Sequence, residues 1–77
     1  MIRTFVLHRE VDASGVSGTG PVLEGCVFSD GTTVVRWTAA LRSTVIYESY
    51  ADFEAIHIEP HPENRSRVEW GPLELPP

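Results

Sequence analysis

The chain has 77 residues, 42% of them apolar, and a formal net charge of −5 from six Arg, no Lys and eleven acids. A chain this short makes one domain and buries only about 60% of its unfolded surface, so its core is small. The charge excludes the basic footprint of a nonspecific nucleic-acid binder. No segment approaches the roughly 20 apolar residues of a membrane span, and the single Cys26 leaves no internal disulfide and no Cys-based zinc site.

In chain order, residues 2–9 read as a strand with Phe5, Leu7, Arg3 and Arg9 on one face and Ile2, Thr4, Val6 and His8 on the other. Apolar residues on both faces predict a central strand or one covered on both sides. The stretch from Glu10 to Pro21 reads as a loop, since three Gly, two Ser and a Pro crowd residues 14–21. Its length marks it for function more than for simple connection. Val22 to Phe28 is a second strand, with Val22, Glu24, Cys26 and Phe28 sharing a face. If that face is the core face, Glu24 lies at its edge or pairs with Arg9 or Arg36.

Ser29-Asp30-Gly31 predicts a tight hairpin turn, of type I′ if both central residues take positive φ. The third strand, Thr32 to Thr38, then places Thr33, Val35 and Trp37 on one face. After a short connection at residues 39–42, Ser43 to Glu48 is a fourth strand. Ser49, followed by Asp52, has the spacing of a helix N-cap. The helix runs from Tyr50 to about His57 with Phe53 and Ile56 facing the core, and Pro60 and Pro62 end it. Ser66 to Trp70 is the last strand. Residues 1–70 thus form one domain and 71–77 a C-terminal tail expected to be mobile.

This order predicts a mainly β, α+β fold. About five antiparallel strands form a small SH3-like barrel or a curled sheet, with one short helix before the last strand. The alternative to the barrel is an open sheet with the helix on one face. Exposed sheet edges would give a homodimer by edge pairing.

Few residue groups carry chemistry. Gly15, Gly18 and Gly20, with Asp12, Ser14 and Ser17, could cradle an anion on backbone N–H groups, with charge from Arg9 or Arg36. The spacing is not the dinucleotide fingerprint, and a strand follows where a helix N-terminus is needed. A self-bonded structural loop is the plainer reading. His8, Asp12 and Ser14 have the residue types of a hydrolytic triad but straddle a strand end and a loop, so no catalytic set is assigned. His57 and His61 are four apart, yet Pro60 and Pro62 break the helix between and beyond them. With His8 and Cys26 as the remaining donors, neither a metal nor a cofactor is expected. Trp70, with Arg67 beside it, is a candidate anchor for a protein partner.

The run His8-Arg9-x-x-Asp12-x-Ser14-Gly15-x-Ser17-Gly18-Thr19-Gly20, then Phe28-Ser29-Asp30-Gly31-Thr32 and Arg36-Trp37, resembles a family of small proteins of unknown function from actinobacteria and their phages. The likeness continues through Ser43-Thr44-Val45, Ala55-Ile56-His57 and Arg67-Val68-x-Trp70. Where the family carries a His-Gly-His-type turn after the helix, this chain has His57-Ile58-Glu59-Pro60-His61-Pro62. The resemblance implies a free-standing accessory protein of a phage or its host and transfers no activity. The expectation is a non-enzymatic, cytoplasmic protein-interaction module, with a nucleotide- or anion-binding protein built on residues 14–21 as the alternative.

Overall fold

The structure, a computed structural model, describes residues 1–11, 19–38 and 41–71. Its elements are β1 (Arg3–Arg9), β2 (Gly20–Val27), β3 (Thr33–Trp37), β4 (Thr44–Tyr47), α1 (Tyr50–His57) and β5 (Ser66–Trp70), with a 3-10 turn at Pro62–Asn64 before β5. In β1 the period of two sends Phe5, Leu7 and Arg9 into the core, while Thr4, Val6 and His8 are half-buried on the other face. All pairings are antiparallel, in the order β4-β3-β2-β1-β5. β1 is therefore an inner strand, as its two apolar faces suggest. β4 and β5 are the edges, so the sheet is open and curled. The face across which they would close into a barrel is occupied by α1.

On β2 the core-facing set is Leu23, Gly25 and Val27, not the Val22, Glu24, Cys26, Phe28 face. A bulge adds Val22 to the inward set. The register steps from Leu7↔Leu23 to His8↔Pro21, leaving Val22 as the extra residue. Both Val22 and Leu23 are consequently buried, and Glu24 is exposed on the opposite face.

The β2–β3 hairpin forms where Asp-Gly places it, but not with a type I′ turn. The Gly31 N–H donates to the Phe28 carbonyl at 2.9 Å, and Gly31 carries the positive φ of 95° while Ser29 and Asp30 do not. That is a three-residue loop with a glycine in the left-handed region. One Asp30 carboxylate oxygen accepts from the Thr32 N–H at 2.9 Å, and hydrogen bonds from Thr32 hold the Asp30 pKa below its ordinary value.

The Ser49 hydroxyl caps α1 by accepting from the Asp52 N–H at 3.2 Å. Two turns of helix cannot stand alone in water. Phe53, fully buried, fixes the rotation of α1, and its neighbours three before and four after, Tyr50 and His57, share the inner face. Ile56, expected in the core, is 52% exposed as a result. Aromatic packing by Tyr50, Phe53 and His57 set the helix phase in place of the aliphatic residue.

The core comprises Phe5, Leu7, Val22, Leu23, Val35 and Phe53, flanked by half-buried Trp37, Val45, Tyr47, Tyr50 and Val68. Phe5 is its hub: its ring lies 5.4 Å from Tyr50, 5.5 Å from Phe53 and 5.2 Å from Trp70. It lies directly against Gly25, where an added Cβ would fall 2.7 Å from Phe5 Cε1 and closer still to Cζ. Forcing a methyl group into that contact costs about 1–3 kcal/mol. Gly25→Ala is therefore expected to lower the melting temperature by roughly 4–8 °C per kcal/mol lost, measured by thermal unfolding. An unchanged midpoint would show that the ring has room to move.

Candidate functional site

Two surfaces collect the residues with chemical potential, one at the mouth of the Gly/Ser-rich stretch and one on the sheet face away from α1. Arg9 closes β1 opposite Gly20, which opens β2, so the two strands deliver both ends of that stretch side by side. Just beyond, the Glu10 and Val11 N–H groups both donate to the carbonyl of buried Asn64, at 3.1 and 3.2 Å. Asp12, Ser14, Gly15, Ser17 and Gly18 lie outside the described residues, as do residues 72–77 of the expected tail. Gly71 is still tied in, its N–H donating to the Thr4 carbonyl at 2.7 Å.

Arg9 is 5% exposed. Its Nη2 donates to the His57 carbonyl at 3.3 Å, placing positive charge at the C-terminal end of α1 where the helix dipole favours it. Its guanidinium also lies 5.4 Å over the Trp37 ring. The His57 imidazole continues the cluster, edge-on to Trp37 at 5.1 Å, with Nε2 2.6 Å from the Tyr47 hydroxyl. Burial, then repulsion from Arg9 and His61, holds the His57 pKa below its ordinary 6.5. Burial likewise raises the Tyr47 phenol, so its hydroxyl keeps the proton it can donate to an uncharged Nε2.

Arg36, grouped with Arg9 in the sequence reading, lies on the opposite face of the sheet, exposed and donating to the Thr44 hydroxyl at 3.0 Å. Trp70 and Arg67 are likewise separated. Trp70 shares the helix-covered face with Phe5, and Arg67 shares the other face with His8. The Trp70 ring is packed on Tyr50 at 4.9 Å and on Phe5, with the Arg3 guanidinium stacked 4.1 Å from it, and is 36% exposed. Much of its surface is already used at home. His57 and His61 do not converge either: His61 turns to Glu63 at 3.4 Å.

The second surface escaped the sequence reading. Among the described residues no helix or strand crosses the sheet face that carries Thr4, Val6, Cys26, Val34 and Ile46. The registers align these residues in cross-strand rows. One runs Thr4–Cys26–Val34–Ile46, and the next runs Glu69–Val6–Glu24–Arg36–Thr44. Ile46 is 70% exposed at the β4 end. Ile2 and Phe28 border the same side, where with Ser29, Asp30 and Thr32 they line a shallow open depression. The signal was present in Val6, Val34 and Ile46, apolar residues on the strand face that alternation assigns away from the core.

Among the described residues no helix is long and apolar enough to cross a membrane. A family model described as Acb5 phage protein matches residues 2–72. No curated protein and no solved structure matches the chain.

The depressed His57 pKa has a consequence for stability. An unfolded chain takes up this proton near pH 6.5, whereas the folded chain resists it until lower pH, so stability is complete above that value and falls as the pH drops below it. Unfolding midpoints between about pH 7 and about pH 5.5 should fall in the wild type and respond less in His57→Gln. Equal slopes in the two proteins would remove His57 as the cause.

Proposed function

Because the chain belongs to the Acb5 phage protein family, we propose that it is a phage-associated protein-interaction module without catalytic activity, working in the host cytoplasm. The observation that carries this reading is the sheet face with Val6, Val34 and Ile46, which no helix or strand of the described residues covers. Contiguous exposed apolar surface rimmed by polar groups marks a contact site, and covering a side chain such as Ile46 contributes about 1.5–3 kcal/mol. Beside the apolar row the same face holds carboxylates Glu24 and Glu69 together with Arg36 and Arg67. Mixed charge of this kind suits a protein surface and opposes the polyanion of nucleic acid. The lone Cys26 fits a reducing compartment.

A second reading is supported by the convergence of Arg9, Gly20, Trp37 and His57 at the mouth of the Gly/Ser-rich stretch. This is the setting for a small-ligand site for a nucleotide or another anion, with backbone N–H groups of residues 14–18 and Gly20 as donors. The engagement of Arg9 by the His57 carbonyl and the Trp37 ring weighs against it, since the guanidinium already has structural work.

Affinity capture from phage-infected host cells separates the two. Wild type is expected to retain a protein partner that Ile46→Asp loses while its thermal unfolding stays near wild type. Retention equal to wild type would remove the bare face as the contact. For the second reading, a bound nucleotide at 100 times its Kd adds about 2.7 kcal/mol of stability. Thermal unfolding against a panel of nucleotides is expected to show no shift, and a reproducible rise with any of them would place that reading first.

A further inference from the structure

We infer that the chain dimerises through its β5 edge, two copies of Ser66–Trp70 pairing antiparallel about a two-fold axis through Val68. Among the described residues β5 has β1 on one side and no strand on the other. The Gly71 N–H donates inward to the Thr4 carbonyl. Backbone groups alternate sides along a strand, so Glu69 and Arg67 also turn theirs to β1, opposite Val6 and His8. Ser66, Val68 and Trp70 therefore turn their N–H and C=O groups to the open side. A row of this kind is a template for a further strand.

The side chains choose the register. Outward residues must pair with outward residues, and a two-fold interface is isologous. An axis at Arg67 sets Arg67 on Arg67, and an axis at Glu69 sets Glu69 on Glu69. An axis at Val68 instead pairs all three outward residues, Val68 with itself and Ser66 with Trp70. It also sets Arg67 of each copy opposite Glu69 of the other. Those two ion pairs fall at non-hydrogen-bonded positions, where side chains stand closest. The Glu69 Oε1 lies 3.6 Å from His8 Nε2, and a carboxylate has a second oxygen to offer Arg67 of the second copy. On the helix side half-buried Val68 meets its copy, and Ser66 of the second copy lies beside Trp70.

The other edge, β4, has no charged side chain to set a register. It turns only Thr44 and Ile46 outward, because the Trp37 N–H takes up the Ser43 carbonyl. The axis through Val68 is normal to the sheet, so both helices share one face of a continuous sheet and both Ile46 surfaces share the other. The dimer thus leaves the proposed contact face open and does not depend on it. Short strands keep the covered area at the small end of stable interfaces, and dilution should dissociate the pair.

Sedimentation equilibrium of the full chain over a dilution series should show a species of twice the 8.6 kDa chain mass giving way to monomer. Amide hydrogen exchange should find Ser66, Val68 and Trp70 protected in the concentrated protein. Dilution should release those three while Arg67 and Glu69, bonded to β1, stay protected. Arg67→Glu should weaken dimerisation by about tenfold through two symmetry-related contacts. Adding Glu69→Arg should restore most of that loss, since the exchange reverses each pair without removing it. Ile46→Asp should leave the dimer intact. A monomer at every concentration overturns the inference but leaves the interaction module standing if infected-cell capture still depends on Ile46. A dimer lost in Ile46→Asp and indifferent to Arg67→Glu overturns it in favour of the β4 edge or the outer sheet face.

Discussion

The contact on which the fold depends is the tip of the Phe5 ring packed against Gly25. β1 and β2 are neighbours, and a ring can sit over the partner strand only where that strand presents no Cβ. Once seated there, Phe5 is within 5.5 Å of Tyr50, Phe53 and Trp70. One side chain therefore ties the inner strands to the start of the helix and to the end of the outer strand β5. In a core of six buried apolar residues, it shares this role with Phe53, whose ring lies within 5.7 Å of Phe5, Tyr47, Tyr50 and His57. Aromatic pairs at this spacing add about 0.5–1.5 kcal/mol beyond area burial, a substantial increment for a domain with so little interior.

The same constraint explains why the molecule is one-sided. An eight-residue helix anchored by a single buried Phe covers one face of a five-stranded sheet and no more. Alternation gives the sheet two faces regardless. On the second face Val6, Cys26 and Val34 are half-buried, while Ile46, at the edge strand, is largely exposed. A fully polar outer face would have been the simple solution for a domain working alone, and this chain does not have one.

Much of this order was legible from local chemistry. The strands, the Ser49 cap and the Asp-Gly hairpin are written in short-range preferences that the environment did not override. The errors are informative because each came from a tertiary effect. The helix phase was misjudged because aliphatic Ile56 looks more core-like than His57, yet an imidazole that meets Trp37 edge-on and a phenol at 2.6 Å is the better-satisfied inner residue. On β2 the face of Glu24, Cys26 and Phe28 is the outer one, and a bulge alone brings Val22 inward beside Leu23, which nothing in Pro21-Val22-Leu23 announces. Arg9 and Arg36 were grouped by charge, but parity separates them: they project from opposite faces of the sheet. Trp70, a candidate anchor whose core role was the plainer reading, is packed by Tyr50 and Arg3, contacts that sequence position alone does not announce.

The two surfaces share β1, and this makes them separable. Its odd positions reach Gly25, the helix and, through Arg9, the end of α1; its even positions, Thr4, Val6 and His8, belong to the bare face. A change at Arg9 removes charge from a helix terminus and loosens the base of the Gly/Ser-rich stretch, so any effect on binding is mixed with an effect on folding. Ile46 and Arg36 carry no part of the core, and changes there act on the outer face with little transmission through the sheet. Stability effects should therefore track the parity of β1, and recognition effects the rows that cross it from β4. A ligand held at the mouth of the Gly/Ser-rich stretch would break that division, since its donors would include Arg9, a residue the fold itself uses.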